Sequence, residues 1–255
     1  MARNITDHCA LGVWVHDTAT AQNNLHRMAD LGFDYVSLKI SDGTTAYDPA
    51  ALRQVACDIA AARLDLPLVA WSYCYPDNIQ SQIDVIVKHL AVIGASDLIL
   101  DAEAEWEGAD PSLATLLAHG IAVATGHKVT LHLSSFYWPS AHPSFPYDAF
   151  IEHCATWMPQ SYKESADADL ATILARTTEG ALSVGGASLD RATVPTVNRP
   201  EVLTAIGADY DAMSVWLWRA DAGDTTDLDE GVWGHGAEWE TAIAAWRSCA
   251  HAAGN

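Results

Sequence analysis

The strongest constraint on the fold is an alternation between short β-rich apolar runs and longer stretches of helical character. Strands are predicted at residues 11–16, 34–40, 67–73, 98–103, 128–134, 156–162, 193–198 and 213–218. Helices are predicted at 20–31, 49–63, 78–93, 111–125, 167–179, 199–206 and 238–251, with a weaker one at 147–153. Helical crossovers make a parallel sheet, and eight strands close into a barrel. The sequence therefore predicts an α/β protein, a single (β/α)8 TIM barrel over residues 1–255. An open doubly wound sheet is the alternative, although its Gly-rich phosphate turn is missing.

Boundary signals support these assignments. Two helices start with an aspartate before a proline, at Asp48-Pro49 and Asp110-Pro111, which places a cap residue before the first helical turn. Glycines at positions 32, 94 and 126 stand where three of the helices should stop. Long loops are predicted at 135–146 and 220–236, on the barrel face where enzymes of this fold build their sites.

Composition excludes several classes of protein. Half of the residues (50%) are hydrophobic and 18% are charged, which allows a large buried core. The formal net charge of -20 repels phosphate backbones and anionic lipids, so we expect no nucleic-acid partner. No apolar run of about 18 residues is present, so no membrane insertion is expected. The five cysteines have no metal-ligand or disulfide-framework spacing and are expected to be buried free thiols.

The first residues lack the basic-then-apolar layout of a secretion signal. The localisation therefore stays open between a phage-encoded protein and one exported by another route. We expect a monomer that acts on a polysaccharide, alone or within a larger assembly that targets cell walls.

The fourth predicted strand places two carboxylates inside the barrel. Because side chains alternate between the faces of a strand, Asp101 and Glu103 share the inner face with Ile99. The same alternation predicts these inward residues on the other strands: Trp14 and His16; Ser37, Lys39 and Ser41; His132 and Ser134; Gln160 and Tyr162; Thr196 and Asn198; Ser214, Trp216 and Trp218. The third strand fits either Ser72 or the pair Trp71 and Tyr73. Barrel interiors are usually apolar, so this polar lining indicates a site.

Two structural alternatives apply to these polar residues. Burying two unpartnered carboxylates costs several kcal/mol, so the pair indicates chemistry or a ligand unless Lys39 neutralises Asp101 in a buried ion-pair network. In either case we expect Lys39 within ion-pair reach of Asp101 or Glu103. His16 and His132 would suit a metal-dependent deacetylase, but two histidines without a third ligand are typical of hydrogen-bonded core residues. No metal or cofactor is expected.

Ten tryptophans offer surfaces for sugar rings. Trp71, Trp106, Trp138, Trp216 and Trp218 fall at or near the predicted carboxyl ends of strands. Trp106 and Trp138, on predicted loops, are the best candidates for sugar contact, with ordinary packing as the alternative for each.

Two segments resemble the lysozymes of glycoside hydrolase family 25. Residues 35–49 read Tyr-Val-Ser-Leu-Lys-Ile-Ser-Asp-Gly-Thr-Thr-Ala-Tyr-Asp-Pro and resemble the family's second strand and following loop, roughly I-K-A-T-E-G-T-T-Y-x-D-P. Asp101-Ala-Glu103 matches its D-x-E on strand four. Residues 157–162 and 215–218 are weaker matches to strands six and eight. The chain is thus similar to this family or to a divergent relative of it.

One position departs from the family pattern, and one spacing is similar to a different family. The lysozymes carry an aspartate on the first strand, in G-x-D-x-S, where this chain has Trp14. The run Asp101-Ala-Glu103-Ala-Glu105 is also similar to the D-x-D-x-E of family 18 chitinases, whose last glutamate is the acid. That spacing would make Glu105 the acid.

The resemblance implies a glycoside hydrolase of lysozyme or muramidase type, acting on an N-acetyl-hexosamine polymer, with peptidoglycan the leading substrate. Glu103 would be the general acid, and Asp101 would orient an acetamido group or stabilise the transition state. If that acetamido group supplies the nucleophile, no distant second carboxylate is needed. The substrate-binding residues would be Lys39, Trp71, Tyr73, Trp106, His132, Trp138, Gln160, Tyr162, Asn198, Trp216 and Trp218. The alternative, favoured by Trp14, is a barrel without turnover that serves as a carbohydrate-binding or structural module, for instance in a phage tail.

Overall fold

The structure, a computed structural model, describes residues 5, 7, 10–163, 169–184, 192–218 and 236–253. Its strands are β1 (Leu11–Val15), β2 (Tyr35–Asp42), β3 (Thr45–Ala46), β4 (Leu68–Cys74), β5 (Asp97–Ala102), β6 (Thr130–Phe136), β7 (Thr156–Gln160), β8 (Ala192–Thr193), β9 (Thr196–Val197) and β10 (Met213–Trp218). Its α-helices are α1 (Thr18–Asp30), α2 (Pro49–Ala62), α3 (Ile79–Ile93), α4 (Pro111–Ala124), α5 (Tyr147–Ile151), α6 (Leu170–Val184), α7 (Pro200–Ile206) and α8 (Gly236–Ala253). Short 3₁₀ turns cover Ala104–Trp106, Pro139–Ala141 and Gly207–Asp209.

The sheet closes on itself. Its strands follow the order β1, β10, β9, β7, β6, β5, β4, β2, and β2 pairs with β1 to complete the ring. Every pairing in the ring is parallel, with β8 and β9 sharing the seventh position, while β3 only forms a hairpin with β2. The predicted closed eight-stranded (β/α)8 barrel is confirmed. The loop predicted at 220–236 lies almost wholly outside the described residues.

The sequence signals at the helix ends work as expected. The Asp48 carboxylate accepts a hydrogen bond from the Ala50 amide at 2.9 Å, and Asp110 does the same for the Ser112 amide at 2.9 Å. Each aspartate satisfies a backbone donor that the first helical turn leaves free. Gly94 ends α3 in the left-handed conformation, at φ 68°.

The interior of the barrel holds its own cluster of buried side chains, separate from the core between sheet and helices. It contains Ile5, Ala10, Trp14, Tyr35, Val69, Trp71, Ile99, Met158, Val194 and Ala212, with Tyr73 and Trp216 packed against it. The third barrel strand therefore turns Trp71 and Tyr73 inward and Ser72 outward. Three tryptophans fill the space below the carboxyl-terminal mouth, where a barrel usually has branched aliphatic residues.

A bulge in β2 changes which residues face the mouth. Lys39 pairs with Trp71, but the next residue in register with β4 is Ser41, opposite Ser72, and then Asp42, opposite Tyr73. The extra residue reverses the alternation, so Ser41 bonds the outward Ser72 hydroxyl at 2.7 Å. The prediction that Ser41 points inward is wrong. Asp42 takes the inward position instead.

The described cysteines divide between core and surface. Cys74 and Cys154 are buried free thiols, as expected, but Cys57 is exposed on the solvent side of α2. Cys9 and the side chain of Cys249 lie outside the described part of the chain. Among the described helices, none has both the length and the apolar character needed to cross a bilayer.

Candidate active site

One amide connects the two carboxylates at the mouth of the barrel. The Gln160 side-chain nitrogen, at the end of β7, donates to Asp101 at 2.9 Å and to Glu103 at 2.7 Å. It also lies 3.3 Å from the Ser134 hydroxyl. Asp101 is buried within β5, and Glu103 follows where the strand ends and the 3₁₀ turn begins. Asp101, Glu103, Ser134 and Gln160, all predicted from strand alternation to face inward, thus form one cluster.

Burial and proximity hold protons on this pair. Desolvation raises the pKa of Asp101 well above its ordinary value, and the neighbouring Glu103 raises it further. Desolvation also raises the pKa of Glu103, and Glu105 adds to the effect. Hydrogen bonds from Gln160 and the charge of Lys39 act in the opposite direction on both groups without overcoming burial. Both carboxyls of the pair are therefore harder to ionise than free ones.

Lys39 forms a salt bridge with Asp42 at 2.8 Å, and its charge also lowers the pKa of Asp101 and of Glu103, near which it was predicted to lie. Its nitrogen lies 4.7 Å from the centre of the Trp71 ring and 3.4 Å from the His16 imidazole. The β2 bulge brings this ion pair together, because it turns Asp42 toward the Lys39 ammonium. Tyr75 donates to the other Asp42 oxygen at 2.9 Å. Sequence reasoning missed Asp42 and Tyr75, since strict alternation places Asp42 on the outer face.

Glu105 stands apart from the Gln160 cluster. It is exposed on the 3₁₀ turn and accepts a hydrogen bond from the Tyr73 hydroxyl at 2.7 Å. Burial raises the pKa of Tyr73, and its bond to Glu105 raises it further, so the phenol stays protonated. The turn at Glu103 breaks the strand alternation, and Glu105 therefore does not extend the carboxylate row of β5.

Aromatic rings form the floor beside the carboxylates. Trp14, Trp71 and Trp216 pack edge to face or tilted, with ring centres 5.1 to 5.5 Å apart. Trp216 is partly exposed, and the Tyr162 ring lies 6.1 Å from it. Trp14 is fully buried and donates to the Ser214 hydroxyl at 2.7 Å. The Trp218 side chain lies outside the described residues.

Two residues predicted to bind substrate are buried away from the mouth. Trp106 is fully buried in the outer core, where its ring packs on Phe150 at 4.8 Å and its N–H donates to the Cys74 carbonyl at 2.8 Å. His132 is buried deeper in the barrel and bonds Asp97, the first residue of β5, at 3.1 Å. Neither side chain is open to the mouth, and sugar contact by either residue stays a prediction. The 3₁₀ turn directs Trp106 into the outer core, and His132 lies early in β6, at the level of the first residues of β5.

Two further residues predicted to bind substrate, Asn198 and Trp138, already contact other side chains or backbone groups of the protein. Asn198 accepts from the Lys163 amide at 2.8 Å and faces its carbonyl at 3.4 Å, so it anchors the segment after β7. Trp138 carries the Arg176 guanidinium over its ring at 3.7 Å. His16 is exposed near Lys39, whereas His132 is buried and bonds Asp97. Within the described ranges, no group of three His, Cys, Asp or Glu side chains is arranged to hold a metal.

The sequence matches no protein-family model and no curated protein. Among solved structures, a chitinase from Chromobacterium violaceum aligns over 94% of this chain and 99% of its own, with 10% identity and a TM-score of 0.62. A β-1,4-mannanase of family GH113 aligns over 96% and 100%, with 12% identity and a TM-score of 0.63. The spore cortex-lytic enzyme SleL of Bacillus megaterium aligns over 76% and 51%, with 13% identity and a TM-score of 0.56. Barrels named dihydrodipicolinate synthase match as well. At these identities the similarity shows a shared TIM-barrel fold and leaves membership of glycoside hydrolase family 25 as a hypothesis.

Proposed function

We propose that the protein is a glycoside hydrolase of lysozyme type that cleaves an N-acetyl-hexosamine polymer, with peptidoglycan the leading substrate. The observation that carries this proposal is the Asp101–Glu103 pair, bridged by one Gln160 amide at the carboxyl-terminal mouth of the barrel. Enzymes of this fold build their sites at that end of the barrel. A chitinase and a spore cortex-lytic enzyme among the structural neighbours are consistent with the substrate class.

The two carboxyls suit different roles because their surroundings differ. Glu103 is only partly buried, at the mouth, and its raised pKa keeps a proton available for the oxygen of the leaving sugar. Asp101 is buried beneath it and lies too deep to meet that oxygen. Once Glu103 has given up its proton, the negative charge shared by the pair stabilises positive charge developing at the anomeric carbon.

The partly exposed aromatic residues supply a surface for the sugar. The Trp216 and Tyr162 rings lie 6.1 Å apart, and the flat apolar face of a hexose stacks well on such rings. The Tyr162 hydroxyl is the proposed donor to an acetamido group.

The experiment measures the release of reducing ends from peptidoglycan and from chitin oligosaccharides. Wild-type protein should cleave one of them, and Glu103→Gln should lose about 10²–10⁴-fold in kcat, the usual contribution of general acid catalysis, while binding sugar normally. Glu105→Gln is the matched control because Glu105 bonds only the Tyr73 hydroxyl among the hydrogen bonds above, and it should remain active. An inactive Glu105→Gln together with an active Glu103→Gln would assign the acid to Glu105, as the chitinase-like spacing does.

A carbohydrate-binding or structural module is the second candidate. The buried Trp14 favours it, because the lysozymes have an acidic residue at that position. Wild-type protein that binds both glycans and cleaves neither would establish this role instead.

A further inference from the structure

We infer that His142 is a positioning residue for the reaction and that, through Glu107, it holds in place the turn that presents the acid Glu103. This acid turn comprises residues 103–108. The inference rests on the proposed function, in which Glu103 protonates the oxygen of the leaving sugar. It gives a role to the loop after β6, for which the family resemblance implies none.

The acid turn begins at the acid itself. The Glu103 carbonyl accepts a hydrogen bond from the Trp106 amide at 3.0 Å, and the Ala104 carbonyl accepts one from the Glu107 amide at 3.1 Å. Asp101 lies before the turn, where β5 still pairs regularly with both neighbouring strands. The position of the Glu103 side chain therefore depends on the turn, whereas that of Asp101 depends on the sheet.

On the β4 side, two contacts fix the middle of the acid turn. Glu105 accepts a hydrogen bond from the Tyr73 hydroxyl at 2.7 Å, and the Trp106 N–H donates to the Cys74 carbonyl at 2.8 Å. Neither contact involves the end of the turn, residues 107 and 108.

The end of the acid turn is held by the loop after β6. The His142 imidazole donates from Nδ1 to one Glu107 oxygen at 2.7 Å, and the Ser144 hydroxyl donates to the other at 3.3 Å. The Gly108 amide donates to the Ser144 carbonyl at 3.0 Å. Because a carboxylate only accepts hydrogen bonds, Nδ1 carries a proton whether or not the ring is charged. The contact between His142 and Glu107 therefore does not require a charged histidine.

His142 can hold the turn because its own ring is fixed. The ring stacks on that of Phe136, with ring centres 3.7 Å apart and planes 6° from parallel. The His142 amide donates to the Pro139 carbonyl at 2.9 Å, and the His142 carbonyl accepts from the Phe145 amide at 3.1 Å. Phe136 ends β6 and is in register with Gln160, which bridges the carboxylates. His142 therefore links the acid turn to the strand end beside that bridge.

The test compares two substitutions that separate the hydrogen bond from the ring. His142→Phe keeps the stacked ring but cannot donate to Glu107, so kcat should fall about tenfold while KM and the urea midpoint stay near wild type; a displacement of about 1 Å can cost about 10²-fold. His142→Asn places an amide nitrogen close to the position of Nδ1 and should restore most of kcat. Equal losses of kcat in the two variants, or a loss confined to KM, would contradict the inference. His119→Phe, at an exposed histidine of α4, is the matched control and should match wild type.

A second readout follows the proton on the acid. Desolvation is the largest cause of the raised pKa of Glu103, and Glu105 adds to it, whereas Gln160 and Lys39 lower it. A loosened acid turn exposes Glu103 to water, so the basic limb of kcat/KM against pH should move to lower pH in His142→Phe. NMR titration of the labelled Glu103 carboxyl should show the same downward shift and needs no turnover. An unchanged titration of Glu103 would overturn the inference.

The two readouts keep the inference separate from the proposed function. Wild-type protein that cleaves neither peptidoglycan nor chitin would overturn the proposed function, whereas the NMR titration still tests whether His142 holds Glu103 in place. Wild-type cleavage with a fully active His142→Phe would overturn the inference and leave the function intact. The double variant His142→Phe/Glu107→Ala should have a kcat no lower than either single variant, because both changes remove one contact; losses that multiply would count against the inference.

Discussion

Replacing Gln160 by methionine should shift the pH dependence of activity. The amide makes hydrogen bonds of 2.9 and 2.7 Å to Asp101 and Glu103, and a hydrogen bond to a charged group contributes about 1.5–3 kcal/mol. Methionine keeps the length of the side chain but donates nothing, so the ionised form of the pair loses that support. At 1.36 kcal/mol per pH unit, losing one such bond moves the ionisation of the pair upward by about one to two pH units. The basic limb of the profile of kcat/KM against pH, where Glu103 loses its proton, should move in that direction.

The matched control for this substitution is Thr196→Val. Thr196 is in register with Gln160 on the neighbouring strand, and its buried hydroxyl has no hydrogen-bond partner in the described structure. The valine variant should keep the wild-type profile. A Gln160→Met enzyme that loses rate at every pH without any shift would refute the reasoning, because the amide would then orient the pair without tuning its protons.

Two further predictions concern stability. Asp101→Asn should be more stable than wild type at neutral pH, and the difference should vanish at pH values below about 4, the ordinary pKa of a carboxyl. Because the raised pKa of Asp101 makes the folded state bind more protons than the unfolded state, the free energy of unfolding of the wild type falls as pH rises above that value. Urea unfolding of both proteins at several pH values measures this difference. Trp106→Ala should lose about 3–5 kcal/mol in the same assay, since the ring is fully buried and bonds the Cys74 carbonyl. Trp106→Phe, which keeps most of the ring, should lose less and bind sugar normally; a binding defect without a stability loss would restore Trp106 as a sugar contact.

Strand alternation and helix caps were sufficient to predict the barrel and the central cluster. The eight strands lie within a few residues of their predicted limits, except that the seventh is split into β8 and β9. Asp101, Glu103, Ser134 and Gln160 meet because the carboxyl ends of parallel strands share one end of a barrel. That rule needs only the period of the sequence and the order of the strands.

The errors arise where the backbone leaves the regular strand. The bulge in β2 moves Asp42 inward and Ser41 outward, and no residue type in that segment predicts a bulge. The turn after Ala102 sends Trp106 into the outer core, although its position in the sequence suggested a loop at the mouth. The misplaced His132 has a different cause, since alternation gives the face of a strand but not whether a side chain bonds a partner at the far end of the barrel.

The most direct test of the central claim is a crystal structure of the Glu103→Gln variant with bound oligosaccharides from peptidoglycan or chitin. The account predicts sugar density on the Trp216 and Tyr162 rings, with the glycosidic oxygen within hydrogen-bond distance of the side chain at position 103. Sugar bound elsewhere on the barrel, with the mouth around Glu103 and Gln160 free of it, would contradict the account.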